Sequence, residues 1–356
     1  DIRNNDITTF GEVSNKFERK TEQTIILRTV GGMLEGTPTH VLPFIPKRNL
    51  KINKLTNTLL PLSEKDVVFD KISETSVGDL LLLQESFPHT HKYNIGKKKS
   101  RLLALIACDG HIEKNKRCLQ IGISKDKEWF YKEMMTNTSY ADDWDIRTSI
   151  CNRGDLIIRS YSKTTINDML EFIPAGEKSR KIRVPNILEH ANLEDIKNYL
   201  QVVFDTEGSV TDQITLTMTS HEFIMGVHYL LRKFGILGRI IPIKRKSMLR
   251  ISMSGYDAFL FCFKIGFSIR RKQDALIKLM NETGKFKRTL TYNNITYRCI
   301  NILSKEINNK EKIVYDFTTK EHLFVVNGIL SSNCHHCPAS TFTKVINQLN
   351  PYTFTD

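Results

Sequence analysis

The sequence predicts an α+β protein in which two similar units of helices and strands lie between β-rich segments. Two apolar runs, Leu102–Gly110 and Leu200–Gly208, each end in an acidic residue followed by glycine. Helix-like and strand-like stretches follow each run up to about residue 282, which predicts an internal repeat. Short apolar or β-branched runs at 24–30 and 40–45, bounded by turn residues, predict strands before the first unit. The chain returns to β character at 286–333.

Composition limits the class of protein. The chain has 356 residues, enough for two or three domains, and 40% of them are apolar, enough for sizeable cores. A net charge of +13 favours a polyanionic partner, although ribosomal and membrane-surface proteins share this feature. No apolar run is long enough to span a membrane, and no secretory signal is evident. The seven scattered cysteines favour a reducing compartment: the cytoplasm, the nucleoid or, for a viral protein, the host cell.

The acid at the end of each apolar run is unusual for a purely structural helix. Each run is predicted to be a buried helix, with Gly110 as a left-handed helix stop. Asp109 then lies in the last turn, where the helix dipole disfavours a carboxylate by about 0.3–1 kcal/mol. Glu207 repeats the feature 98 residues later (207 minus 109). The repetition predicts two helices side by side with both acids at one metal site; the alternative is two unrelated buried helices.

Both runs, LLALIACDG and LQVVFDTEG, resemble the LAGLIDADG motif of homing endonucleases, most closely in the second run and its continuation FDTEGSV. The resemblance implies a two-repeat αββαββα endonuclease whose motif helices form the domain interface. It also implies that Asp109 and Glu207 hold the catalytic metal, which we expect to be Mg²⁺ with oxygen ligands and water. Small residues make the helix contact in that family. The corresponding positions here are Ala104, Ala107 and Cys108 in the first helix and Val202 and Asp205 in the second.

Each unit is predicted to continue with strands and a helix, over about 101–190 and 199–282. The predicted strands are Cys118–Ser124, Leu156–Ser162, Gln213–Thr219 and Met248–Met253. The predicted helices are Glu128–Met135 and Glu222–Phe234, the second of which ends near Gly235. Because side chains alternate along strands, one face of each sheet can pack on helices while the other faces solvent or DNA.

Basic residues cluster before the first motif helix and around the hairpin of the second unit. A sheet that carries such charges can lie in a major groove and contact both phosphates and bases. The alternatives are a solvated linker and a solvated sheet edge. The candidate DNA contacts are Lys97, Lys98, Lys99, Arg239, Lys244, Arg245, Lys246 and Arg250.

Each unit also ends in a basic stretch, at 178–181 and at 270–272. In the enzymes that the chain resembles, a lysine from such a region approaches the metal-bound water. The resemblance therefore implies Lys181 and Lys272 as candidate catalytic residues.

The segment 286–333 resembles the C-terminal splicing blocks of inteins. The matching residues are, in order, Val314-Tyr315-Asp316, His322, Asn327-Gly328 and Asn333 before Cys334. A chance hairpin would explain the Asn-Gly turn but not the Asn-Cys ending. Thr37-x-x-His40 then fits the N-terminal block, although a histidine beside an apolar strand is also typical of core packing. The resemblance divides the chain into an all-β splicing (HINT) domain at 1–95 and 286–333, an inserted endonuclease at 96–285 and a tail at 334–356.

Splicing chemistry follows from this resemblance. Cys334 would accept the upstream acyl group, and Asn333 would cyclise and break its own peptide bond. His322 would move protons in that step, and Thr37 and His40 would assist the first acyl shift. Two departures matter: Ser332 stands where the family usually has His, and no first nucleophile precedes Asp1. We therefore expect an N-terminally truncated intein that does not splice and at most cleaves at Asn333.

The tail 334–356 is predicted to be flanking host sequence. Its opening Cys334-His335-His336-Cys337 is not a zinc site, because four adjacent ligands cannot all reach one tetrahedral ion. The tail resembles the segment after the acidic pair in motif II of superfamily 2 helicases. No G-x-x-x-x-G-K-[ST] loop is present, so the chain itself is not a working helicase.

These observations predict an intein-encoded, site-specific double-strand DNA homing endonuclease that requires Mg²⁺. Its expected partners are the intein-less host allele as double-stranded DNA and helicase exteins in cis, with no membrane contact and a monomeric state. The alternative is a splicing element whose endonuclease domain binds nucleic acid without cutting it.

Overall fold

The computed structural model describes most of the chain, and the structural statements below concern the described residues. They are 7–8, 11–53, 58–86, 92–123, 146–150, 155–176, 180–243, 247–282, 288–319, 322–326 and 328–332. The chain divides into two compact units, one formed by 1–85 with 287–356 and the other by 86–286. Among the described helices, none has the length and apolar character needed to cross a membrane.

The unit formed by the two ends of the chain is a β structure. Its first segment contains short 3-10 turns and nine strands. They are β1 Ile7–Thr8, β2 Gly11–Thr21, β3 Thr24–Thr29, β4 Gly32–Gly36, β5 Val41–Ile45, β6 Ile52–Asn53, β7 Thr58–Leu59, β8 Val68–Lys71 and β9 Leu80–Gln84. β3 and β5 lie where the alternating apolar runs predict strands.

The central unit, 86–286, contains the described helices and two four-stranded sheets. Its helices are α1 Lys97–Asp109, α2 Lys163–Met169, α3 Leu193–Glu207, α4 His221–Lys233, α5 Gly255–Lys264 and α6 Arg270–Glu282. Its strands are β10 Gly110–Ile112, β11 Leu119–Ile123, β12 Ile146–Ile150, β13 Leu156–Ser160, β14 Gly208–Val210, β15 Ile214–Met218, β16 Arg239–Ile243 and β17 Met248–Met253. The predicted helix at 128–135 falls outside the described residues.

The chain then returns to the β unit and completes it. The returning strands are β18 Thr289–Tyr292, β19 Ile295–Asn308, β20 Lys312–Thr319, β21 Leu323–Val326 and β22 Ile329–Ser332. They interleave with the first segment, since the main sheet has the order β21-β22-β9-β19-β3-β4 and β20 pairs with β2. Neither segment holds all the strands of this sheet, so the β unit needs both ends of the chain.

The two sheets of the central unit repeat one topology. Their strand orders, β10-β11-β13-β12 and β14-β15-β17-β16, match position by position, and all pairs are antiparallel. In each sheet the first strand begins directly at the end of a helix, α1 or α3. These two helices pack against each other, and one hydrophobic core joins both sheets to them.

Gly110 and Gly208 end these helices in extended conformations rather than as left-handed stops. Their φ and ψ angles are −74° and 154° at Gly110 and −78° and 155° at Gly208. The prediction of a left-handed stop at Gly110 was therefore wrong. Glycine is needed here for space, because a Cβ at Gly208 would lie 2.5 Å from the carbonyl oxygen of Phe204. At Gly110 it would meet the carbonyl oxygen of Ile106 in the same way.

Two basic stretches also occupy different structures from those predicted. Lys97–Lys99 form the first turn of α1 rather than a segment before it, and 270–272 begin α6 rather than ending a unit. The helix predicted at 222–234 is α4, which begins at His221 after the N-cap Ser220, whose hydroxyl accepts the Phe223 N–H. It stops before Gly235, whose φ is 73°.

His228 on α4 is a buried neutral side chain. Its Nε2 lies against the carbonyl oxygens of Leu237 and Gly238, so that nitrogen donates and carries the proton. Burial and the nearby Arg232 guanidinium lower the pKa of His228 to about 4 from its ordinary 6.5. The unfolded chain therefore binds a proton more readily than the folded one between these pH values.

We predict that acid selectively destabilises the region around α4. The contribution of neutral His228 to the free energy of unfolding is complete above the unfolded pKa of 6.5 and is lost as the pH falls from 6.5 towards 4. Between pH 7 and pH 5 this loss is about 2 kcal/mol. Amide hydrogen exchange of α4 peptides at the two pH values measures this change. His228→Gln, which keeps a donor, should remove it, and the exposed His190→Gln should not. An equal loss in His228→Gln would contradict the assignment.

Candidate functional sites

Asp109 and Glu207 occupy equivalent positions in the two repeats. Each is the last residue of its helix, α1 or α3, and each is half-buried beside the glycine that begins a sheet. Since the two helices pack on each other, each acid lies at a junction between the helix pair and a sheet. Ala104 and Ala107, predicted at the helix contact, are fully buried in this core.

Asp109 and Glu207 offer carboxylate oxygens, the type of ligand that hard cations prefer. Among the described residues there is no group of three or more His, Cys, Asp or Glu that could hold a metal ion. Two carboxylates would leave most coordination positions to water and substrate oxygens. That composition fits Mg²⁺, which keeps several waters and binds through one or two carboxylates and phosphate, and it does not fit a structural zinc site.

Asp205, two residues before Glu207, fixes the end of α3 to the start of α6. Its buried carboxylate accepts the N–H of Ser268 at 3.0 Å and the N–H of Ile269 at 3.3 Å. Burial raises the pKa of Asp205, and these N–H groups and the Lys272 ammonium oppose that rise. The carboxylate lies at the amino end of α6, where the helix dipole favours negative charge. Asp205 therefore has a tertiary partner beyond the helix contact predicted for it.

Lys272 makes the reverse connection from α6 to α3. Its ammonium donates to the carbonyl oxygens of Asp205 at 2.7 Å, Gly208 at 2.5 Å and Phe204 at 3.1 Å. A lysine has three N–H donors, and three carbonyls at the end of α3 receive them here. The structure thus places Lys272 beside Glu207 as a cation capping its helix. Its predicted action on a metal-bound water stays a prediction.

The polar face of the second sheet carries Arg239 and Arg250. Ile214, Leu216 and Ile251 are buried on the opposite face. Arg250 donates from Nε to the Thr217 hydroxyl at 3.0 Å, and Arg239 is exposed on the outer strand. Of the remaining predicted contacts, Lys244, Arg245 and Lys246 lie outside the described residues.

The polar face of the first sheet carries two arginines that the sequence analysis missed. Arg159 donates to the Ser149 hydroxyl at 3.0 Å, and the Arg147 guanidinium lies 5.4 Å from the Tyr161 ring centroid. These four side chains line a cavity of about 300 Å³. The strand pairing that sets Arg147 opposite Arg159 brings these side chains together, and the sequence alone does not give that register.

The pairing registers make Arg147 and Arg239 equivalent. In the first sheet the chain of partners runs from His111 through Gln120 and Arg159 to Arg147. In the second it runs from Ser209 through Thr215 and Ser252 to Arg239. Each repeat therefore presents one arginine at the same place on its outermost strand.

The remaining basic candidates are less central. Lys97, Lys98 and Lys99 lie at the opposite end of α1 from Asp109, about 15–18 Å away along the helix axis at 1.5 Å per residue. Lys181 lines a different cavity together with Arg180 and Arg183. The structure thus separates the predicted lysines into distinct surroundings instead of gathering them at one point.

In the β unit, Thr37 and His40 form a hydrogen-bonded turn. The Thr37 carbonyl accepts the His40 N–H at 2.9 Å, and the Thr37 hydroxyl accepts from Arg19 of β2 at 3.0 Å. His40 Nε2 lies 2.7 Å from the buried Ser331 hydroxyl on β22. Ser332 follows and donates to the Val41 carbonyl at 2.9 Å. The structure thus joins the predicted N-terminal block to the strand that leads to Asn333.

His322 precedes β21 and lies near the same strand end. It has a positive φ of 55°, is exposed, and donates its N–H to the Thr319 carbonyl at 3.0 Å. The next residue, Leu323, pairs with Ser332 in the antiparallel ladder. Asn327, Asn333 and Cys334 lie outside the described residues.

Residues 194–266 match the family model of the LAGLIDADG-like domain. The match extends from the first turn of α3 to just beyond α5 and includes Glu207 and the second sheet. Residues 194–266 are therefore similar to a LAGLIDADG-like domain. The first motif run, 102–110, lies outside the matched residues.

Two curated proteins from Methanocaldococcus jannaschii are similar to longer segments of this chain. The glutamine–fructose-6-phosphate aminotransferase (isomerizing) is 28% identical over 265 residues, which are 70% of this chain and 22% of that protein. A probable translation initiation factor IF-2 is 29% identical over 141 residues, 36% of this chain and 12% of that protein. The chain thus spans less than a quarter of the length of either relative.

Among solved structures, one of mesophilic variants from the homing endonuclease I-DmoI is similar to this chain. It covers 52% of this chain and 100% of its own, with 17% sequence identity and a TM-score of 0.38.

Proposed function

We propose that the central unit is a site-specific DNA endonuclease that hydrolyses phosphodiester bonds at Asp109 and Glu207. The observation that carries the proposal is the repeated junction: an acid ends each of two packed helices where a sheet with an open polar face begins. The two carboxylates would hold Mg²⁺, which when bound activates the attacking water and stabilises the leaving oxygen. One acid per repeat matches one cut per DNA strand.

The proposed DNA surface is the pair of polar sheet faces. Arg147 and Arg239, at equivalent positions, would contact the two halves of a target duplex, and Arg159 and Arg250 lie on the neighbouring strands. Arginine donates bidentate hydrogen bonds to phosphates and to guanine edges. Because one chain supplies both repeats, a monomer suffices.

The metal proposal is tested by two isosteric variants, Asp109→Asn and Glu207→Gln. Each removes an anionic ligand and should slow linearisation of a plasmid carrying the intein-free host gene by about a hundredfold or more. DNA binding in gel-shift assays without metal should persist, because the sheet arginines remain. Asp212→Asn, which neutralises an exposed acid of the same repeat, is the matched control and should cut like the wild type.

The outcomes separate the two candidate activities. If Asp109→Asn and Glu207→Gln cut DNA at the wild-type rate, the assignment of the metal site would be wrong. Binding without cleavage by the wild-type chain in Mg²⁺ would favour the nucleic-acid-binding alternative.

We further propose that the β unit is an intein splicing element. Two contacts support this: the Ser331 hydroxyl lies against His40 Nε2, and the Ser332 hydroxyl donates to the Val41 carbonyl. The Thr37–His40 turn therefore lies beside the strand that leads to Asn333. An aminotransferase and an initiation factor, proteins named for unrelated activities, share segments with this chain that fill a small part of each. The occurrence of similar segments within proteins named for unrelated activities supports the proposal that this chain is a mobile insert. The proposed helicase origin of 334–356 rests on the sequence resemblance alone.

Splicing chemistry predicts that the wild-type chain releases the peptide 334–356. The Asn333 side-chain nitrogen attacks its own carbonyl carbon, the 333–334 peptide bond breaks, and Cys334 leaves with a free amine. Asn333→Ala should abolish release, and His322→Ala should slow it by about a hundredfold through loss of proton transfer. Asn301→Ala, on exposed β19 surface, is the control. Mass spectrometry that finds undiminished release from Asn333→Ala would refute the assignment.

A further inference from the structure

A second basic surface in the central unit lies beyond the end of the second polar sheet face. Among the described residues, seven from three segments line a cavity of about 420 Å³ there. They are Arg180, Lys181, Arg183, Thr219, His221, Glu222 and Ser247. Three are permanent cations and one is an acid, so the cavity lining is positively charged.

The described lining of this cavity has a net positive charge even after its ion pair is counted. Arg183 forms an ion pair with Glu222, with 2.5 Å between Nε and Oε2. Arg180 and Lys181 are exposed and supply the remaining net charge of the described lining. His221 adds a ring whose Nε2 lies 3.3 Å from the Ser247 carbonyl. An anion entering the cavity would therefore meet two cations in excess of the carboxylate.

The backbone that carries these cations is held in place. Ile182, between Lys181 and Arg183, is fully buried, and its carbonyl accepts the Ser220 hydroxyl at 2.6 Å. The Arg183 N–H donates to the Phe172 carbonyl at 2.9 Å. Fixed backbone reduces the entropy lost when these side chains are ordered by a ligand.

The cavity adjoins the proposed DNA face along the chain. Thr219, which lines the cavity, directly follows β15, whose Thr215 and Thr217 lie on the polar face of the sheet. Ser247 precedes β17, the strand that carries Arg250. A duplex lying along the sheet would thus extend its backbone over the cavity.

We propose that this cavity is a contact site for DNA backbone phosphates that flank the segment read by the sheet. Arg180 and Lys181 would donate to phosphate oxygens, which suits both the forked guanidinium and the ammonium point charge. Such contacts give affinity and orientation without sequence information. The inference rests on the proposed DNA binding of the central unit.

The salt dependence of DNA binding by the full chain tests this site. Each phosphate contact contributes about 0.9 to the slope of log K against log salt concentration. The double variant Arg180→Gln/Lys181→Gln should reduce that slope by about one to two and weaken binding about tenfold. The loss should be equal on the host-gene duplex and on an unrelated duplex. Lys20→Gln/Lys310→Gln, which removes two positive charges from exposed lysines of the β unit, is the matched control.

Each result decides between the proposals. Absence of DNA binding by the wild-type chain would overturn the proposed function itself. Salt-dependent wild-type binding with an unchanged slope in Arg180→Gln/Lys181→Gln would overturn only the cavity assignment. An equal change in the Lys20→Gln/Lys310→Gln control, or a loss confined to the host-gene duplex, would overturn it as well. The predicted slope change, found on both duplexes and absent in the control, supports the site.

Discussion

The packing of α1 against α3 is the constraint on which the central unit depends. Residues 100–108 of α1 are all buried, yet neither end of the helix carries favourable charge. Lysines occupy its amino end and Asp109 its carboxyl end, both against the helix dipole. Its amino-terminal flanking residue, Gly96, makes no side-chain capping hydrogen bond. Burial in the shared core must therefore stabilise α1, and the acid is retained at a position that helix stability disfavours.

The end of α3 is supported differently from the end of α1. The Asp205 carboxylate accepts backbone N–H groups at the amino end of α6, and the Lys272 ammonium donates to backbone carbonyls at the carboxyl end of α3. Each dipole end is thus matched by a side chain of opposite charge. In α1 the position equivalent to Asp205, two residues before the acid, is the apolar Ala107. The two acids thus share a backbone position while their helix ends are held by different interactions.

The sequence could predict features that depend on local spacing. Strand Met248–Met253, helix α4 and the two acid–glycine junctions follow from periodicity and turn residues. It could not predict that Gly110 is extended, because the close approach of the Ile106 carbonyl is a property of the folded turn. Contacts such as His40 with Ser331, which are 291 residues apart, depend on strand order that no local pattern encodes. Arg147 and Arg159 were missed because a pair of arginines on short strands carries little signal without its register.

The central claim is that Asp109 and Glu207 share one cation beneath the paired helices. The most direct measurement is anomalous diffraction from crystals of the full chain grown with Mn²⁺ in place of Mg²⁺. We expect a peak within about 2.0–2.6 Å of carboxylate oxygens from both residues. Carboxylates too far apart to share an ion, or manganese bound only elsewhere, would contradict it.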